Sequence, residues 1–184
     1  TASNEIRKIE AQLQQFSDSI TRGSGDAVRE ASLAAFNPVF FDLLSNPATF
    51  HYPFDSLKAV SKITSPDGNI RIYTWLYPSR TEGTYRYFGV LQKRNKMNSQ
   101  IKTIGLMETK LSNEEAEKFE LKTDTWYGAV YYEIVERKIN KRVYYFLLGW
   151  HGNDRLTTRK VIDVMCFDQW DNITFGAPVF TDEN

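Results

Sequence analysis

The sequence predicts an α+β fold, in which an N-terminal helical pair packs on a mainly antiparallel, twisted sheet or open barrel. Three observations carry this. Residues 1–47 place apolar side chains at helical spacing. Residues 50–180 switch to short apolar runs with two-residue alternation. The connectors between those runs are turns, whereas a parallel sheet needs long crossovers. Helices followed by about seven or eight strands in one domain, 1–184, is the reading that satisfies all three.

The first helix follows from Ile6, Ile9, Leu13, Phe16 and Ile20, which share one stripe. Ser3 or Asn4 offers an N-cap. Arg22-Gly23-Ser24-Gly25 ends the helix. Its opposite face carries Glu10, Gln14 and Asp18 and reads as solvent-exposed. A second helix starts near Asp26, with Val28, Ala31, Ala35, Val39 and Leu43 as its apolar positions. Pro38 predicts a kink or break near Asn37, because proline removes one helical hydrogen bond. Asn46-Pro47 closes the helical part, and FHYPFDSL reads as a loop with a short helical turn.

Ala59–Thr64 and Ile70–Tyr77 flank Ser65-Pro66-Asp67-Gly68-Asn69 and predict a hairpin. In the second run Ile70, Ile72, Thr74 and Leu76 alternate with Arg71, Tyr73, Trp75 and Tyr77. The aliphatic side faces the core; the aromatic side is either a second buried layer or a surface. Thr84–Lys93 and Ile101–Lys110 are the next strands. Ser112 with Glu115 forms a capping box that opens a short helix. Four further strands follow: Ala129–Val135, Arg142–Trp150, Arg159–Phe167 and Ile173–Phe180. Gly176 and Pro178 interrupt the last, which suits an edge.

Composition limits function. The 184 residues carry 23 basic and 23 acidic side chains, so bulk charge gives no support for nucleic acid. A single cysteine, Cys166, excludes an intramolecular disulfide and a multi-cysteine zinc site. It reads as a buried, inert thiol. No apolar run reaches the roughly 18 residues of a membrane-spanning helix. The start, TASNEIRKIE, has neither an initiator Met nor a signal-peptide pattern. A processed chain whose export signal has been removed is the expectation.

Three groups could carry chemistry. Trp150, His151, Asn153 and Asp154 lie in a Gly149–Asp154 loop between aromatic strands, where a sugar hydroxyl or a metal would find ligands. The same residues also make an ordinary turn. Asp163 sits on a strand apolar on both faces, so it needs a partner. That partner is a structural Arg71, Arg142 or Arg159, or else Asp163 is a general acid or base. The aromatic rows Tyr73-Trp75-Tyr77 and Tyr85-Tyr87 are core if buried and stacking platforms if exposed. A hydrolase would use Asp163, Asp154 and His151, with His51 in reserve. No GxSxG, Walker A or Rossmann glycine pattern is present.

The pieces FHYPFDSL, SPDGNIRIYTW, YYFLLGWHGND and KVIDVMCFDQWDNITFGAPVF resemble a family of uncharacterised secreted or periplasmic proteins of Bacteroidetes. The resemblance spans residues 50–180 and implies export but no activity. It also implies Asp at the position of His151, and a chain continuing beyond FGAPVF. The expected function is a non-enzymatic exported binding or accessory domain, with a glycan as the natural ligand of its aromatic rows. Tyr73, Trp75, Tyr85, Trp150, His151, Asn153 and Asp154 would bind it. No cofactor, metal or nucleic acid is expected. The partner is an unknown ligand or envelope protein, and the alternatives are the hydrolase and a structural role in an envelope assembly. The expected compartment is the periplasm or the cell exterior, with the cytoplasm as the other choice.

Overall fold

In a computed structural model, residues 2–152 and 156–180 are described. Helix α1 spans Ala2–Arg22 and α2 spans Asp26–Leu44, followed by a 3-10 turn at Pro47–His51. Strands β1 Ser61–Thr64, β2 Ile70–Pro78, β3 Tyr85–Arg94 and β4 Ile101–Met107 form one antiparallel sheet in sequence order. A short helix, α3 Asn113–Lys118, leads to a second sheet. That sheet contains β5 Val130–Ile139, β6 Arg142–Gly152, β7 Thr158–Phe167 and β8 Ile173–Thr174, again in order. The α+β expectation holds, with eight strands among the described residues split between two sheets and no closed barrel among them.

Three layers result. The first sheet buries both faces. Tyr73, Trp75, Tyr77 and Val90 pack under the helices with Leu13, Phe36, Phe40 and Leu44. Ile70, Ile72, Tyr87 and Leu91 pack against Tyr131, Tyr145, Leu147 and Met165 of the second sheet. The aromatic side of β2 is thus a second buried layer. Phe40 meets Phe54, Tyr73 and Trp75 edge-on, at ring separations of 5.5, 5.7 and 5.4 Å. Burying each such ring stabilises by about 1.5–3 kcal/mol.

The helical pair differs from expectation in three ways. α2 turns Arg29, Leu33, Phe36, Phe40, Leu43 and Leu44 inward, and leaves Val28 and Ala31 exposed. Apolar residues occur all round this helix, and the larger rings take the core. Pro38 does not break it, because the helix runs through to Leu44. Glu10 is buried: its carboxylate accepts from Tyr52 Oη at 2.6 Å and from Ser56 N at 3.0 Å. Burial opposes its charge, but the hydrogen bonds from Ser56 and Tyr52 outweigh it and hold the carboxyl below its usual range.

Buried polar side chains fix the helices to the sheet. Arg29 donates to Ile20 O (2.8 Å), Asp26 Oδ1 (2.8 Å) and Pro78 O (2.6 Å), and lies 4.7 Å over the Tyr77 ring. Gln92 Nε2 donates to Leu44 O at 2.7 Å and its Oε1 accepts from Tyr73 Oη at 2.9 Å. Arg71 closes the 3-10 turn by donating to Phe50 O (2.8 Å) and Tyr52 O (2.7 Å). These bonds satisfy carbonyls that a helix end leaves free.

The turns follow the sequence closely. Gly68 takes φ +66° in the β1–β2 hairpin, and Asn140 and Lys141 take φ 49° and 66° in a two-residue β5–β6 turn. Ser112 and Glu115 form the capping box. The last strand is shorter than expected. Gly176 turns the chain at φ +70°, and Pro178 has no N–H to give a ladder.

Candidate functional site

The residues selected from sequence do not form one site. Tyr73 and Trp75 are buried beneath the helices, at 0% and 5% exposure, so no ligand reaches them. Tyr85, Trp150 and His151 meet on the other side of the first sheet. Tyr85 packs edge-on to Trp150 at 5.4 Å, and His151 is stacked between Tyr87 and Tyr127 at 4.7 Å from each. The expected Gly149–Asp154 loop is strand as far as Gly152. Asn153 and Asp154 lie outside the described residues. His51 is exposed on the 3-10 turn, beside Phe50.

His151 is a packed imidazole. Burial, then the nearby Arg159 charge, push its pKa down and favour the neutral ring. Its Nδ1 is buried without a hydrogen-bond partner among the described residues. Gly152 beside it must be glycine, since a Cβ there would run into the Tyr85 ring. Gly152 N donates to Tyr87 Oη at 2.6 Å instead.

Asp163 is also buried but lies elsewhere. In the β6–β7 register His151 faces Arg159, and Leu147 faces Asp163. Four residues of strand separate the two positions, about 13 Å. An Asp163–His151 acid–base pair is therefore not formed. Among the described residues no arginine or lysine pairs with Asp163 either; Arg71 is spent on the 3-10 turn. Its partners are neutral donors. Tyr131 Oη donates to Oδ2 at 2.6 Å and Gly176 N to Oδ1 at 3.0 Å. Trp126 Nε1 in turn donates to Tyr131 Oη at 2.8 Å. Burial pushes the Asp163 carboxyl up, and these donors only partly offset it.

Tyr131 does more than hold Asp163. Its N–H donates to Thr74 Oγ1 at 3.0 Å, and its carbonyl accepts from Ser61 Oγ. The β5–β6 register shifts between Tyr131 and Glu133, a bulge that turns this backbone toward the first sheet. One residue thus joins both sheets, and its hydroxyl holds the carboxylate.

Asp163 forms part of the wall of a cleft of about 440 Å³ between α3, the Gly176–Pro178 segment and β7. Six consecutive β7 residues, Arg159 to Val164, line it. Side chains of a strand alternate between faces, so an unbroken run marks the backbone edge itself. β8 pairs with β7 only at Cys166 and Phe167, and Ala177 N adds one bond to Val164 O at 3.0 Å. The rest of this edge borders the cleft. Leu121, Ala177 and Pro178 give apolar walls, and Arg159, Lys160 and Lys118 give cations.

Comparison with protein-family models, curated proteins and solved structures returns no match. Function therefore rests on the chain's own geometry. Among the described residues no three His, Cys, Asp or Glu side chains gather to hold a metal. No described helix is long and apolar enough to cross a membrane. Cys166 is buried, and burial raises its thiol pKa, so it is unreactive.

Sequence reading singled out Asp163 but missed Tyr131, Trp126 and Gly176. Gly176 was legible as a strand breaker. The bulge beside Tyr131 had a faint signal: Glu133 is polar where the alternation calls for an apolar residue, and the buried face resumes at Ile134, one position out of phase.

Proposed function

We propose that the chain is a non-enzymatic binding or accessory domain that takes an extended peptide segment along the open edge of β7. The observation behind this is the run Arg159–Val164, whose backbone edge borders the cleft. Strand addition uses main-chain hydrogen bonds for affinity and pockets for alternate side chains for selectivity. Here the apolar wall of Leu121, Ala177 and Pro178 suits an apolar side chain, and Arg159 and Lys160 suit an acidic one. A glycan is less well supported, because Tyr73 and Trp75 are buried. The partner class is an extended segment of another protein, and an envelope protein fits the expected export to the periplasm or cell exterior.

The test is a display screen of extended peptides followed by amide exchange. The expected result is a binder that protects amides of the Arg159–Val164 run and loses affinity when its own backbone is N-methylated. Binders whose footprint lies away from β7, or that tolerate N-methylation, would sink the reading. Cell fractionation tests the expected compartment.

A further inference from the structure

The far end of the sandwich carries a second cleft that the edge of β7 does not use. Its volume is about 830 Å³, and five cations line it from four elements. They are Lys93 and Arg94 of β3, Lys96 of the following loop, Lys102 of β4 and Arg142 of β6. Lys93 and Lys102 sit directly opposite one another in the β3–β4 register. Like charges facing across a ladder are destabilising. A chain with equal numbers of acidic and basic residues has concentrated this repulsion in one place.

The carboxylates nearby do not balance it. Asp171 pairs with Lys93, and Asp67 lies 3.3 Å from Lys96. Among the described residues, neither Lys102 nor Arg142 has a carboxylate within ion-pair distance. Burial, then the charges of Lys102 and Lys96, push the Lys93 pKa down, so the Lys93 cation is disfavoured where it stands.

An aromatic platform stands beside these cations. Trp170 is 73% exposed and lines the cleft. It stands on a hydrogen-bonded turn. Asp168 Oδ1 accepts from Trp170 N and Asn172 N, both at 2.8 Å, and Asp168 Oδ2 accepts from Asn172 Nδ2 at 2.8 Å. Asp168 N also donates to Asn172 O at 3.0 Å. The turn is locked, and it holds a large indole out in water. An exposed ring on a hydrogen-bonded turn, next to cations without carboxylate partners, suits a ligand with charge at one end and a flat face at the other.

We infer that this cleft binds a multiply charged oxyanion ester carried on a ring. The phosphate or sulfate groups lie among Lys93, Lys96, Lys102 and Arg142, and the ring stacks on Trp170. Phosphate on a nucleoside and sulfate on a sugar share this chemistry. The inference is independent of the peptide reading, since it uses the opposite end of β7.

The experiment is calorimetric titration of the whole chain with adenosine triphosphate, a sulfated disaccharide and inorganic tripolyphosphate, at low and at physiological ionic strength. One ring-bearing anion is expected to saturate the site, and which one does so identifies the source. Tripolyphosphate is expected to bind about tenfold more weakly, since it lacks the stacking face. Lys102→Glu should cost at least about tenfold in affinity, and Trp170→Ala about the same. Lys102→Glu should also melt no lower than the parent, because it turns the facing pair with Lys93 into opposite charges. That melting curve separates lost binding from lost fold. No saturable binding by any of the three overturns the inference, as does affinity unchanged in Lys102→Glu. Equal affinity for tripolyphosphate and the ring-bearing anions overturns the role of Trp170.

Discussion

A buried carboxylate held by neutral donors is the most unusual single residue among those described. Asp163 accepts hydrogen bonds from Tyr131 and Gly176 and, among the described residues, pairs with no cation. Its folded pKa lies above 3.8 because burial disfavours the charge. The folded form therefore holds its proton more tightly than the unfolded form. Its contribution to stability is complete below pH 3.8 and is lost as pH rises through the folded value. Asp163→Asn should remove that slope, so melting temperature becomes flatter between acid and neutral pH. At acid pH, where Asp163 is itself neutral with one good acceptor oxygen, the amide is a close match and the melting temperature should change little. Thermal melts across pH check both points. Asp67 has the opposite sign. Burial would raise it, but hydrogen bonds from Ser65 and Asn69 hold it at about 2. Its contribution is present above pH 3.8 and lost as pH falls toward about 2.

At the scale of elements, the helix pair depends on one guanidinium. Arg29→Met would leave the carbonyls of Ile20 and Pro78 without their donor and Asp26 without its charge partner. A loss of about 2–4 kcal/mol is expected in denaturant unfolding. Pro38 gives the converse case. It sits exposed inside a continuous helix, so Pro38→Ala restores an N–H and should stabilise by about 1–3 kcal/mol. Both helices, the Pro-Asp-Gly hairpin and the capping box were legible in the sequence, since each rests on spacing or turn chemistry within a few residues. The buried face of α2 was not. Leu33, Phe36 and Phe40 compete there with Val28, Ala31 and Ala35, and only the sheet beneath decides between them.

For the whole molecule, three layers make the interior unusually phenolic. Burial raises Tyr73, Tyr87, Tyr131 and Tyr145 above the ordinary phenol range. The folded state keeps these protons, so stability is full below pH 10 and falls as the solution becomes alkaline. Ultraviolet titration should show at least these four of the ten tyrosines ionising only when the chain unfolds. The split into two sheets was not legible in the sequence, because both read as one succession of hairpins. What divides them is the segment Glu108–Ala129, whose α3 and isolated bridges at Trp126 and Leu121 interrupt the ladder. The candidate clefts were hidden for the same reason. Each joins residues far apart in the chain, such as Leu121 with Gly176, or Lys93 with Arg142.

The strictly sequential strand order has a consequence for biosynthesis. A nascent chain can complete α1, α2 and its first sheet once Met107 has left the ribosome. At that moment Ile70, Ile72, Tyr87 and Leu91 form a bare apolar face in water. Its covering begins when Tyr131 emerges and docks its backbone on Ser61 and Thr74, and needs Tyr145, Leu147 and Met165 to follow. Translation of the intervening stretch therefore helps to set the time for which the half-made protein is sticky, and slowing synthesis between codons 108 and 131 should increase its recruitment of chaperones.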